Sequence, residues 1–138
     1  MLANSQVAAA LPVEDLTRAR KFYEEKLGFK PVESSSSGVL YRCGKGTCLF
    51  LYEAKNTKTE HILAVFEVDN LQREVKELMG KGVVIEANKL PEVSTLDDLT
   101  SMPTGDIVSF KDSEGNILAI AQMGMLLELK GDILPFRR

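Results

Sequence analysis

The sequence predicts an α+β protein built from two βαβββ units in tandem. Three observations carry that expectation. Two stretches of helical periodicity are each preceded by one apolar strand segment and followed by three more. Shifting the chain by 55 residues lays "VEDLTR" (13–18) over "VDNLQR" (68–73), with the valine, leucine and arginine shared. Shifting it by 69 lays Gly46 over Gly115 and Tyr41 over Phe110; the growth in offset places one insertion in "NKLPEVSTLDDLTSMPTG" (88–105).

The elements follow in order. "VAAALPV" reads as a buried first strand. Asp15 suits the N-cap of a helix whose Leu16, Ala19, Phe22, Tyr23 and Leu27 recur at helical spacing, and Gly28 suits its left-handed stop. "FKPVES", "GVLYRC" and "TCLFLYE" are strands separated by Ser/Gly stretches. In the second half "HILAVFEV" is a strand, and Asp69 or Asn70 caps a helix with Leu71, Val75, Leu78 and Met79 on one face. Gly80 and Gly82 end that helix, and "VVIEA", "DIVSFK" and "NILAIAQ" supply the last strands. The insertion is long for a connection inside a compact domain; a lid over a site and a solvated loop both fit it. Ser94 and Asp97 have the spacing of a capping box, which allows a short helix there. The expected organisation is one domain over 1–124, with modules 7–56 and 60–123, then an apolar extension over 125–138. Leu126, Leu127, Leu129, Ile133, Leu134 and Phe136 make that extension too apolar for a free tail, so it packs on its own subunit or on a partner.

At 138 residues, 44% hydrophobic and 27% charged, the chain has the composition of one ordinary globular domain. A net charge of −3 with scattered Lys and Arg argues against nucleic-acid binding, which concentrates basic residues on one face. The apolar run near the start is too short to span a membrane and lacks the flank of a signal peptide, so a cytoplasmic protein is expected. Cys43 and Cys48 flank a glycine turn and could face each other across a hairpin; reduced thiols are the simpler expectation in a reducing compartment.

Two tandem βαβββ units, with "VEDLTRARKFYEEKLGF" at the first helix and "FKDSEGNILAIAQ" at the end, resemble the vicinal oxygen chelate superfamily. This is the group of glyoxalase I, bleomycin-resistance proteins, fosfomycin-resistance enzymes and extradiol dioxygenases. The resemblance covers residue 7 to about residue 122. It implies a curved, cup-like mixed sheet with helices outside, ligands bound in the concave face, and commonly a homodimer.

The metal enzymes of that superfamily carry ligands, two His and two Glu, on the first and fourth strands of each unit. Carried over residue by residue, those positions are Ala8, Phe50, Leu63 and Ala119, and the offsets of 55 and 69 relate them as pairs. None can donate to a metal. His61, the only histidine, lies two residues from Leu63 and so on the same side of its strand, yet a slip to include it still leaves Ala, Phe and Ala. No metal and no other cofactor are expected.

Phe50 holds a ligand position, so its face should be the concave one. Strand alternation assigns Tyr41, Phe50 and Tyr52 to that cup from the first unit, and His61, Leu63, Phe110 and Ala119 from the second. The cup would be apolar and aromatic, with polar tips from Tyr41, Tyr52 and His61. Bleomycin-resistance proteins bind without chemistry, and the leading expectation is likewise a metal-independent protein that sequesters a small apolar or aromatic molecule in the concave sheet. An alternative is a lyase or isomerase with a rebuilt site that uses His61, Tyr41 or Tyr52 as acid or base. A third is a protein-interaction module that uses the apolar tail.

Overall fold

The computed structural model describes residues 1–56, 59–86 and 107–122. They contain β1 (Ala9–Val13), α1 (Leu16–Lys21), β2 (Pro31–Ser34), β3 (Gly38–Arg42), β4 (Cys48–Glu53), β5 (Ile62–Val68), α2 (Leu71–Gly80), β6 (Ile107–Lys111) and β7 (Ile117–Gln122). The fold is the expected α+β type. The chain forms two units: Met1–Leu63 with Asp112–Asn116, and Ala64–Lys111 with the chain from Ile117 onward. The insertion 88–105, with the Ser94–Asp97 pair, and the extension 125–138 lie outside the described residues. Among the described residues no helix is long and apolar enough to cross a membrane.

In the first unit the strand order is β1-β4-β3-β2, with β1 parallel to β4 and the other neighbours antiparallel. A parallel pair needs a crossover, and α1 with the strands that follow it supplies one. Alternation along these strands buries Leu11, Val13, Val39, Tyr41, Leu49 and Leu51 on one face. Leu16, Ala19 and Tyr23 of the helix are buried with them. Each such side chain withdrawn from water stabilises the fold by about 1.5–3 kcal/mol.

Asp15 starts α1 by leaving its own backbone extended and accepting the Arg18 N–H at 3.0 Å. The helix then widens into a π-helical turn, Phe22–Lys26, in which the Leu27 N–H reaches back to the Phe22 carbonyl at 3.3 Å. Gly28, at φ 82°, reverses the chain so that the Phe29 N–H meets the Tyr23 carbonyl at 3.1 Å. This closure sets the Tyr23 and Phe29 rings against Tyr41, with centroids 6.2 and 5.6 Å away.

The turn Asp112–Asn116 packs with this unit, and its Asp112, Glu114 and Asn116 are buried. Asp112 Oδ2 accepts the Tyr23 hydroxyl at 2.6 Å, and Oδ1 accepts the backbone N–H groups of Glu114 and Asn116. Asn116 Nδ2 donates to the Pro12 carbonyl at 2.8 Å. Glu114 Oε1 accepts the backbone N–H groups of Glu14 and Asp15, and both its oxygens receive the Arg18 guanidinium at 2.8 and 2.9 Å. The end of β1 and the start of α1 are therefore fixed by one turn. Arg20 pairs with Glu24 at 2.8 Å, and Glu24 also accepts the Tyr41 hydroxyl at 2.9 Å.

In the second unit the strand order is β5-β7-β6. Asn70, not Asp69, caps α2 by accepting the Arg73 N–H at 3.0 Å. The strand expected over 83–87 meets β6 through a single bridge, Ile85 to Phe110, so seven strands rather than eight stand among the described residues. Glu86 donates its N–H to the Ser109 carbonyl and receives the Ser109 hydroxyl, both at 2.7 Å. The bridge puts this segment where β2 stands in the first sheet, and the two halves share one order.

Burial opposes ionisation of Glu114, but the Arg18 hydrogen bonds, the Asp15 N–H and the Ser113 hydroxyl outweigh it and hold the carboxyl at about 2 instead of 4.5. A depressed carboxyl stabilises the fold above its unfolded pKa and loses that contribution as pH falls through the folded value. Glu114→Gln should therefore cost roughly 1–2 kcal/mol at pH 7, discounted because the Arg18 side chain is 54% exposed. Urea melts at stepped pH should show the difference from the parent shrinking between about pH 4.5 and about pH 2. A pH-independent difference would assign Glu114 a purely steric role.

Candidate functional site

The face of the first sheet that points away from Tyr41 is built by register. Antiparallel pairing puts Leu40 opposite Phe50 and Gly38 opposite Tyr52, while the parallel pair puts Ala10 beside Phe50 and Pro12 beside Tyr52. Phe50 is 37% and Tyr52 39% exposed, although their neighbours Leu49 and Leu51 are buried. Their rings run nearly parallel, at 16°, with centroids 6.2 Å apart. The Phe50 ring leans across onto bare backbone, because a Cβ added at Gly38 would lie 2.9 Å from Phe50 Cζ and 3.0 Å from the Leu51 carbonyl oxygen. A glycine here is the reason the ring can lie over the sheet, and no helical or turn signal in the sequence marks it.

Tyr41 departs from the sequence expectation. The hairpin closes at Arg42 opposite Cys48, which makes Leu49 the partner of Tyr41 and puts both on the helix side. There Tyr41 is fully buried among Tyr23 and Phe29. Burial and the hydrogen bond to Glu24 push its hydroxyl well above the usual tyrosine range, so it holds its proton rather than trading it. Phe110 departs in the same way. Its partner across β6 and β7 is Leu118, whereas Ala119 pairs with Ser109. Phe110 and Ala119 therefore occupy opposite faces of their sheet, both buried. The physical cause is common to both. Period-two alternation gives each strand two faces, and only the loop that joins two strands decides which faces coincide.

Leu63 and Val65 share one side of β5 and stay 37% and 43% exposed. His61, exposed and just ahead of the strand, lies on the same side by alternation, and its backbone N–H bonds Thr59 Oγ1 at 3.1 Å. Cys48 lies on the Phe50 face, but its register partner is Arg42, and both cysteines are free thiols. Burial, then the neighbouring Cys48, push the Cys43 thiol up and keep it protonated.

The metal positions of the resembled family fall at Ala8, just ahead of β1, at Phe50 in β4, at Leu63 in β5 and at Ala119 in β7. Methyl, phenyl and isobutyl groups supply no lone pair, so these residues do not fit a metal ion. Among the described residues no three His, Cys, Asp or Glu side chains come together in a way that could hold one. What the first sheet offers is contact area: two exposed rings with Leu40, Ala10 and Pro12 about them.

Residues 5–120 match the family model described as the Glyoxalase/Bleomycin resistance protein/Dioxygenase superfamily. No curated protein matches. Among solved structures, the chain is similar to TnmS3, an antibiotic binding protein from Streptomyces sp. CB03234, at 20% identity and TM-score 0.65, covering 88% of this chain and 98% of that one. It is similar to a lactoylglutathione lyase from Agrobacterium tumefaciens at 18% identity and TM-score 0.67, covering 88% of this chain and 96% of that one. It is also similar to the fosfomycin resistance protein FosX from Listeria monocytogenes, complexed with Mn(II), at 16% identity and TM-score 0.65, covering 97% and 98%.

Two measurements check this geometry. Gly38→Ala should displace the Phe50 ring and cost about 1–3 kcal/mol in a denaturant melt, the scale of overpacking against backbone. Unchanged stability and unchanged Phe50 ring chemical shifts would mean the ring does not rest on Gly38. Protein dialysed against Ni, Zn or Mn should retain far less than one equivalent by elemental analysis. Stoichiometric retention lost on His61→Ala would show donors gathered around that histidine.

Proposed function

Because the chain belongs to the Glyoxalase/Bleomycin resistance protein/Dioxygenase superfamily, we propose that it binds a small apolar or aromatic molecule on the face carrying Phe50 and Tyr52, without a metal ion and without turnover. The observation that supports this reading is the exposed pair of parallel rings, set where a metal enzyme of the superfamily holds a ligand residue. Phe50 and Tyr52 keep 37% and 39% of their surface in water, so covering them returns part of the roughly 1.5–3 kcal/mol of a full burial for each and gives an apolar occupant a driving force. The likeness to an antibiotic binding protein supports a binding role, while FosX with Mn(II) marks the branch whose donor chemistry this chain lacks. Tyr41, offered by the sequence as an acid or base for a rebuilt active site, stands buried on the other face. That removes one leg of the lyase or isomerase reading. A homodimer and a cytoplasmic setting complete the proposal, and the free thiols of Cys43 and Cys48 fit a reducing compartment.

Phe50→Ala is the test. A binding ring should lose about 1–3 kcal/mol of affinity on truncation. Its folding cost should stay near 1–2 kcal/mol, below the roughly 3–5 kcal/mol of a fully buried phenylalanine. A thermal-shift screen supplies the ligand, and titration of parent and variant beside urea melts separates the two quantities. A large stability loss with affinity unchanged would return Phe50 to the core and sink the reading.

A further inference from the structure

Resting on that reading of the Phe50–Tyr52 face, we propose that its ligand is an aromatic cation and that Glu33 receives the positive charge. Glu33 reaches this face through a break in register. Pro31 pairs with Tyr41 on the helix side, and β2 then slips by one residue, so that Glu33 pairs with Leu40. Without the slip Glu33 would stand opposite Val39, which is buried on the helix side. With it, Glu33 shares the side of Leu40, Phe50 and Tyr52, because residues paired across antiparallel strands point the same way. The Phe50 ring leans toward this carboxylate. Its tip lies over Gly38, 2.9 Å from where a Cβ would stand. Gly38 is one diagonal step from Glu33, about 7–8 Å, a gap that a glutamate side chain and one cationic group can fill.

The other charges lie farther off or are offset. Arg42 stands at the opposite end of β3 from Gly38, about 13 Å along the strand. Gly38, Leu40, Ala10 and Pro12, which β3 and β1 place on this face by pairing, carry no charge. Glu14 lies just past the last β1 pair, and Arg18, which it helps to keep protonated, offsets its charge. Glu33 itself is exposed, and the ion pairs among the described residues engage Glu24 and Glu114 instead. An aromatic ring presents a negative face that draws cations, and a carboxylate beside it acts in the same direction. Ring and carboxylate together favour a quaternary or protonated amine on a flat body over a neutral or acidic molecule of the same shape.

Three probes on one skeleton test this: naphthyl-trimethylammonium, the uncharged tert-butylnaphthalene of the same shape, and naphthalene sulfonate. Each is followed by fluorescence anisotropy on the full chain. The parent protein should bind the cation most tightly and the sulfonate least. Glu33→Gln should weaken the cation roughly fivefold, the scale of one solvent-exposed charge contact, and leave the neutral probe within about twofold. Glu33→Lys should weaken the cation further and strengthen the sulfonate. Added salt should weaken the cation more on the parent than on Glu33→Gln. Arg42→Gln should leave all three probes within about twofold, and Phe50→Ala should weaken all three. Equal melting temperatures for the Glu33 variants and the parent keep the comparison about binding. Cation affinity unchanged by Glu33→Gln, or a sulfonate that binds the parent as tightly as the cation, overturns the charge assignment while the binding face stands. Failure of all three probes to bind the parent, or their indifference to Phe50→Ala, overturns the face itself and the assignment with it.

Discussion

The first unit depends on the buried turn Asp112–Asn116. Two residues there, Glu114 and Asn116, satisfy backbone groups where β1 ends and α1 begins: the N–H groups of Glu14 and Asp15 and the carbonyl of Pro12. A strand that ends against a helix start exposes such groups, and burying them unpaired costs about 1–3 kcal/mol each. Carboxylates are suited to this work because each oxygen accepts more than one bond. Glu114 accepts from two N–H groups and a guanidinium at once, while Asp112 holds Tyr23 and closes its own turn.

Tyr23 passes that constraint into the sheet. Its hydroxyl is held by Asp112, and its ring lies nearly parallel to Tyr41, 6.2 Å away. Tyr41 in turn is fixed by Glu24, which Arg20 neutralises. Both tyrosines are held protonated by burial, and Tyr23 also by Asp112, so they act as struts with polar tips. One consequence follows for the opposite face. With Tyr41, Leu49 and Leu51 committed to the helix side, alternation leaves Phe50 and Tyr52 outside that core, and nothing in the first sheet buries them fully.

That face is where the chain departs from the metal enzymes of its superfamily. A metal site needs lone pairs converging on one point; Ala8, Phe50, Leu63 and Ala119 offer none. Replacing donors by apolar groups also removes the desolvation cost of gathering charge. In the first sheet the position that would hold a donor carries the half-exposed Phe50 ring instead.

The sequence by itself determined the repeat. The offset of 55 brings the caps Asp15 and Asn70 together, and the offset of 69 carries the hairpin pair Arg42 and Cys48 onto Lys111 and Ile117. Helix starts, glycine stops and turn residues act through neighbours a few positions away, so they can be read along the chain. That Phe50 and Tyr52 share one face of β4 was legible for the same reason, since it follows from alternation within one strand. Only the tertiary structure decided the facing of Tyr41 and Phe110, the support of Phe50 by Gly38, and the bonds of Asp112, Glu114 and Asn116 to residues about a hundred positions earlier. Those depend on cross-strand register and on buried polar groups finding partners in space, and neither is a property of local sequence.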